Sequence, residues 1–173
     1  MDELIDVVNE KNEVIGTAYR REAWKKKLSR RVSHLWVFNN KGELLISKRP
    51  LNIKPYPGIW TSTAGGHVAA GESHEQAAYR EAQEELGVVF QSLTYALTLN
   101  YHHPDGHLLF IGLWYCVREK GTKGMSFDAA EIAETRWISL PKLKREMKKN
   151  PEIFNPEFVQ LVELWGEKKL RVK

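Results

Sequence analysis

The sequence has a single cysteine in 173 residues, which excludes an intramolecular disulfide and the stapled frameworks built on them. That residue, Cys116, sits in the apolar run Leu113–Val117, where a buried thiol is expected and not a reactive one. A reducing, cytoplasmic setting fits this usage. No stretch approaches the roughly 18 apolar residues of a membrane helix, and the acidic start Met1-Asp2-Glu3-Leu4 leads into no extended apolar core. A chain without membrane association is therefore expected. Ser-, Gly-, Pro- or Gln-rich tracts and internal repeats are also lacking, so neither a linker nor a large disordered region is indicated.

What the sequence does have is core material: 42% hydrophobic residues, with six Trp, six Tyr and six Phe. That supports one domain over residues 1–173. The net charge of +4 comes from dispersed clusters at Lys25–Lys27, Arg30–Arg31, Lys142 to Lys149 and Lys168 to Lys173. Without interleaved aromatics these read as solvated faces and tails, and no specific nucleic-acid binding is expected. The field they create would still attract phosphorylated small molecules.

Periodicity gives a mixed pattern. Leu4 to Val8 and Val14 to Tyr19 read as an N-terminal β-hairpin over residues 4–19, and a short basic helix follows over Glu22 to Leu28. Strands are expected at Val32 to Phe38 and Leu44 to Ser47, joined by Asn39-Asn40-Lys41-Gly42, whose Asn and Gly tolerate positive φ. Three prolines make Pro50 to Pro57 an ordered loop. A helix starts near Ser73, with Gln76 completing a capping box and Gly87 as the stop. Further strands cover Leu93 to Tyr101, Leu108 to Val117 and Arg136 to Ile138. C-terminal helices at residues 141–165 begin on Pro141 and Pro156, the second repeating Phe158, Leu161, Val162 and Trp165 at helical spacing. Strands and helices mix without regular βαβ alternation, which argues for an α+β class with α/β/α layers.

The chemistry concentrates between Gly66 and Val88. Here the chain runs glycine, five residues, Glu72, seven residues, Arg80-Glu81, two residues, Glu84-Glu85, one residue, Gly87. On a helix, Glu81 lies three and four residues from Glu84 and Glu85, so the three carboxylates share a face. Like charges at these spacings cost a few tenths of a kcal/mol per pair and call for a cation. Carboxylate oxygens suit magnesium or manganese, whereas zinc is usually met by His or Cys. Such ions neutralise diphosphate oxygens and assist attack of water on phosphorus. Gly65-Gly66 lets backbone approach this assembly closely, and the turn from His67 to Gly71 brings Glu72 back to the helix.

This segment, residues 66–88, resembles the signature of the Nudix family, and the similarity extends over about Leu4 to Lys148, including the late Glu-Ile-Ala-Glu-Thr-Arg-Trp stretch from Glu131 to Trp137. The resemblance implies a mixed, curved sheet between helices and a Mg2+- or Mn2+-dependent hydrolase of a small diphosphate compound. It implies Glu81 and Glu85 as principal metal ligands and Glu84 as a third ligand or the base that orients water. Arg80 would hold the carboxylates, Glu72 would support the loop or a second ion, and Gly66 would contribute its carbonyl. A later acidic residue often reaches such sites; Glu131 and Glu134 are the candidates, with Glu134 preferred. Lys48 and Arg49 are candidate phosphate contacts, or else an exposed strand end. Trp36, Trp60 and Trp114 read as core before base-stacking platforms. The expected partner is a small-molecule diphosphate, and a homodimer is left open.

Within the family, Ser47-Lys48-Arg49-Pro50, Pro57-Gly58-Ile59-Trp60-Thr61 and Gly65-Gly66-His67-Val68 are similar to type I isopentenyl diphosphate isomerase and its hydrolase-like relatives. That makes alkene isomerisation the rival reading. The isomerase uses a cysteine just after the Trp-Thr segment and a metal site rich in His, with two later glutamates. Here those positions carry Ala64, Arg30 in place of a His, and Leu109 and Ile111; only His67 survives, as a ligand or as a packed loop residue. A third reading is a Nudix-fold nucleotide-binding module without catalysis, against which the complete carboxylate set argues.

Overall fold

The computed structural model describes residues 2–168. Strands β1 (Leu4–Val8) and β2 (Val14–Tyr19) form the expected hairpin, pairing Leu4 with Tyr19 and Ile5 with Ala18. Asn9 closes its turn by accepting the Lys11 and Glu13 amides, while Asn12 takes φ of 63°. Helix α1 spans Arg20–Lys25, earlier than the expected Glu22 to Leu28. It stops because Lys27 turns to φ of 54° and the Leu28 amide bonds back to the Ala23 carbonyl.

Strand β3 (Arg30–Phe38) is the spine of a nine-stranded mixed sheet. It runs parallel to β8 (Leu108–Val117), from Arg30 against Leu109 to Phe38 against Val117, and antiparallel to β4 (Glu43–Lys48) and β6 (Ala64–His67). Strand β4 also pairs with β5 (Trp60–Thr61) and β9 (Glu134–Ser139), and β7 (Thr94–His102) pairs with β8. Two of these strands run against expectation. Gly65-Gly66, read only as backbone open to close approach, lies in β6, and Trp60-Thr61, assigned no element from periodicity, lies in β5. Both are too short and too poor in β-branched residues to show a period of two, and they exist because β3 and β4 offer them free edges.

Because β3 is buried on both faces, its side chains alternate between two cores. Trp36 and Phe38 point to a layer made by α3 (Leu140–Lys149) and α4 (Pro156–Glu167), where Leu143, Met147, Phe158, Leu161, Val162 and Trp165 are buried. Leu35 and Val37 point the other way, onto Ala78, Ala82 and Leu86 of α2 (His74–Leu86). The helical repeat read at Phe158, Leu161, Val162 and Trp165 is thus the face that closes the larger core. Each such side chain contributes roughly 1.5–3 kcal/mol. The layers are α/β/α. No helix among the described residues is long and apolar enough to cross a membrane. The Lys168 to Lys173 cluster falls outside the described residues beyond Lys168.

Candidate active site

Helix α2 is set by local chemistry. Ser73 Oγ accepts from the Gln76 amide at 3.2 Å, and Gln76 Oε1 accepts from the Ser73 amide at 2.9 Å. At the other end Gly87 takes φ of 62°, a left-handed conformation that ends the helix at little cost. With both ends fixed, the phase of the helix turns Glu81 and Glu85 toward β6 and leaves Glu84 at the rim. Glu81 is buried, Glu85 is half-buried and Glu84 is exposed.

Opposite them β6 offers bare backbone. A Cβ built on Gly66 would lie 2.6 Å from Glu81 Cδ and in still closer contact with its oxygen. A Cβ on Gly65 would meet the Ser33 carbonyl oxygen at 2.6 Å. Absence of side chains on this pair therefore lets a helix carboxylate and two strands converge.

Arg80 organises the acids. Its Nε and Nη2 donate to the two oxygens of Glu72, both at 3.0 Å, and Nη1 donates to Glu81 at 2.8 Å and Glu84 at 3.2 Å. Nη2 also donates to the His67 carbonyl at 2.9 Å and lies 3.4 Å from Glu3. Glu72 in turn accepts the Ala69 amide at 2.9 Å, tying down the loop before the helix. Glu3 is a member that sequence reading missed, since only folding of the N-terminal hairpin brings it here and no spacing records that.

One guanidinium does not neutralise this many acids. Burial, with Glu84 and Glu3 nearby, pushes Glu81 up to about 7 despite its bond to Arg80. Burial first, then Glu81 and Glu131, hold Glu85 well above the ordinary carboxylate value even though a Gly65 backbone hydrogen bond favours its charge. Carboxylates held this way are short of positive charge, and that of Glu81 lies against the Gly66 backbone where a side chain would not fit. An all-oxygen donor set of Glu81, Glu85, Glu84 and the Gly66 carbonyl fits a hard divalent cation.

The site opens into a cavity of about 1460 Å³ whose lining carries both signs of charge. Glu81, Glu84, Glu85, Asp128 and Glu131 lie on it, as do Arg20, Arg30, Arg49 and Lys54. Of the two late-loop candidates, Glu131 lines the cavity and the preferred Glu134 does not: Glu134 heads β9, opposite Lys48, whose Nζ it meets at 3.5 Å. Cross-strand pairing of β4 with β9 thus takes Lys48 and Glu134 to the sheet edge together. Arg49, one residue on, faces the cavity, and its Nε donates to the Tyr56 carbonyl at 3.2 Å.

Among the tryptophans, Trp36 is core. Trp114 packs against the α2 core and Tyr95, and Trp60 is covered by Arg136 at 4.4 Å. His67 is not open to an ion at its ring: Nε2 accepts from Arg30 Nε at 2.9 Å. Burial and that guanidinium hold its pKa well below the ordinary imidazole value. Ala64 lines the cavity, while the only thiol, Cys116, is buried against α2 and pushed up to about 12 by burial. Leu109 and Ile111 sit beside Arg30 and Val32 in the sheet, as apolar core. A separate group, His103, Asp105 and His107, offers ligand atoms within 4.8 Å of one another. Its imidazoles are stacked at 4.3 Å and 14°, so their in-plane lone pairs run parallel and do not converge on one ion.

The chain is similar to known proteins over most of its length. The chain is 31% identical to an uncharacterised Nudix hydrolase of Listeria monocytogenes over 80% of its own length and 81% of the relative's. It is 33% identical to an isopentenyl-diphosphate Delta-isomerase of Streptomyces avermitilis, over 86% of this chain and 77% of that one. A crystal structure from Deinococcus radiodurans superposes with a TM-score of 0.77 at 24% identity, covering 94% of this chain and 98% of the other, which shows the shared fold. The model of the NUDIX domain matches residues 27–161, which takes in β3, β6, the acidic helix and the first half of α4, and the chain belongs to the Nudix hydrolase family.

Proposed function

We propose that the protein is a Mg2+- or Mn2+-dependent pyrophosphohydrolase acting on a nucleoside diphosphate-linked or related small molecule. The observation that carries this is the Glu81–Glu85 pair, driven above ordinary carboxylate pKa values, with Glu81 against the bare backbone of Gly66 and Glu85 hydrogen-bonded to that of Gly65. Glu81 and Glu85, with Glu84 and the Gly66 carbonyl, would hold the ion. When bound, such an ion neutralises diphosphate oxygens and lowers the pKa of water.

The chain's own residues supply the remainder. Arg80 fixes the ligand carboxylates through its fork, and Arg49 offers charge to the substrate's phosphate. Lys48, committed to Glu134 at the sheet edge, is the weaker of the two phosphate contacts. Glu84 is one carboxylate able to take the proton of the attacking water, at the price of its bond to Arg80. The oxygen of water bonds to phosphorus, the bridging P–O bond breaks, and two phosphate-bearing fragments leave. The alkene-isomerase reading lacks support from the cavity, which holds Ala64 where that chemistry needs a thiol.

The test is a screen of nucleoside di- and triphosphates, sugar nucleotides, dinucleoside polyphosphates and isopentenyl diphosphate with Mg2+ and Mn2+, with product analysis. Cleavage of at least one diphosphate is expected. Rearrangement of isopentenyl diphosphate without cleavage, or binding of a nucleotide with no turnover of any compound, would overturn the reading.

A further inference from the structure

The arginines of the cavity are not equivalent. Arg80 is spent on the carboxylates, and Arg49 feels Glu131 and Glu85, the acids of the catalytic end. Arg30 lies on the far side of His67, whose carbonyl meets Arg80 and whose ring meets Arg30. The charged or phenolic groups that act on it are Glu157 and Tyr56.

Arg30 is fully buried and held on three sides. Nε donates to His67 Nε2 at 2.9 Å, Nη1 donates to the Leu28 carbonyl at 2.9 Å, and the guanidinium plane lies 4.5 Å from the centre of the Trp24 ring. Nη2 is left buried with no hydrogen-bond partner. Among the described residues no carboxylate stands within ion-pair distance of it; Glu157, the acid that acts on it most, is 3.8 Å from His34 Nε2 instead.

A buried cation without a partner is expensive, by several kcal/mol, and an arginine does not escape by losing its proton. Burial lowers this one only to about 10, so it is charged at neutral pH. Its neighbours do not relieve the cost: a neutral imidazole, one carbonyl and an indole face fix its plane without cancelling its charge. A fork held in place with one nitrogen unused is suited to an oxyanion.

We propose that Arg30 anchors a second anion subsite, which takes a phosphate or carboxylate that the substrate carries beyond the diphosphate being cut. Trp24 and Tyr56, on the same cavity wall, frame it. That the anion belongs to a substrate rests on the hydrolase reading; the subsite itself needs neither the metal nor turnover.

The experiment therefore has two arms. In the first, the whole protein in EDTA is titrated calorimetrically with inorganic phosphate and with acetate. Phosphate or acetate binding by the wild type is expected, weakened tenfold or more in Arg30→Met and less in Arg30→Lys. The ion bound more tightly identifies the group. No binding to wild type, or equal binding by wild type and Arg30→Met, overturns the subsite. If Arg30→Met does not fold by circular dichroism, Arg30→Lys decides: unchanged affinity overturns, and a severalfold loss supports.

In the second arm, compounds that are turned over are compared with and without a second acidic group. Arg30→Met should raise KM at least tenfold for the former with kcat retained, and leave the latter unchanged. Equal effects on both overturn the subsite. Failure of every compound to turn over sinks the hydrolase reading while the phosphate titration still judges Arg30.

Discussion

Arg30 donates from Nε to His67 Nε2 at 2.9 Å, so a guanidinium occupies the imidazole nitrogen that would otherwise be free for a ligand. The His67 carbonyl accepts from Arg80 at 2.9 Å, which makes this residue the link between the acidic helix and the far wall of the cavity. Replacing His67 with Gln keeps a side-chain acceptor for Arg30 and leaves the backbone bond to Arg80 intact. Mg2+ affinity measured by calorimetry is expected to change less than about threefold, well below the 10–100-fold typical of losing a group that supports a ligand. A loss beyond that range would return His67 to the metal site.

The two glycines of β6 should fail in different ways. In Gly66→Ala the new methyl meets the Glu81 carboxylate, a movable side chain, so turnover falls while the melting temperature stays near wild type. In Gly65→Ala it meets the Ser33 carbonyl oxygen at 2.6 Å, part of the central strand, and overpacking there costs roughly 1–3 kcal/mol. Urea unfolding and steady-state kinetics on both variants separate the effects. Equal stability losses would show that the Glu81 side chain cannot yield.

Metal binding should release protons. Without a cation Glu81 is held at about 7, raised from an ordinary 4.5, so at pH 6 it is mostly protonated and an ion must displace that proton. Affinity for Mg2+ is therefore expected to climb as pH rises through about 7, with Glu85, also raised, adding to the proton release. Calorimetry in buffers of different ionisation enthalpy reads the protons directly. Glu81→Gln and Glu85→Gln should each cost roughly 100-fold or more in turnover with the fold retained; wild-type turnover in both would exclude the assigned ligands.

The elements that sequence made legible are those with a strong local signal. The Ser73–Gln76 capping box, the Gly87 stop and the apolar repeat through Trp165 each rest on neighbouring residues, and each sits where spacing put it. Strands β5 and β6 carry almost no such signal, being edges that β3 and β4 recruit. The acidic helix face was likewise legible from Glu81, Glu84 and Glu85, because helical phase is local. The cavity walls were not. Glu3 and Arg30 arrive through the hairpin and the parallel β3–β8 pairing, and no period of 2 or 3.6 encodes a contact of that range; Glu131 is a candidate only through the family resemblance, beside the preferred Glu134.

That difference gives a prediction at the late loop. Glu131 lies on the cavity and acts on Glu85, whereas Glu134 pairs with Lys48 on an exposed strand end. Glu131→Gln should lower kcat about 100-fold or more, within the range of a positioned general base. Glu134→Gln should leave kcat within about twofold and change stability by no more than about 1 kcal/mol, as for an exposed ion pair. The reverse ranking would restore Glu134 as the base.

His107 makes stability depend on pH in a direction that can be worked out. It is 2% exposed, stacked on His103, set against the edge of Trp24 at 5.8 Å, and neither ring nitrogen has a hydrogen-bond partner among the described residues. Burial first, then Arg30 and His103, lower its pKa from 6.5 to about 4. Above pH 6.5 both folded and unfolded chains carry it neutral, and its contribution is intact. As pH falls from 6.5 toward 4 the unfolded chain takes up a proton that the folded chain refuses, so up to roughly 3 kcal/mol of stability is lost across that window. His107→Phe keeps a ring in the stack and removes the titration. Urea unfolding at pH 7.5 and pH 4.5 should show the variant gaining on the wild type as pH falls, by roughly 2–3 kcal/mol between the two conditions. A difference that does not change with pH would mean that His107 takes its proton as readily in the folded protein as in the open chain.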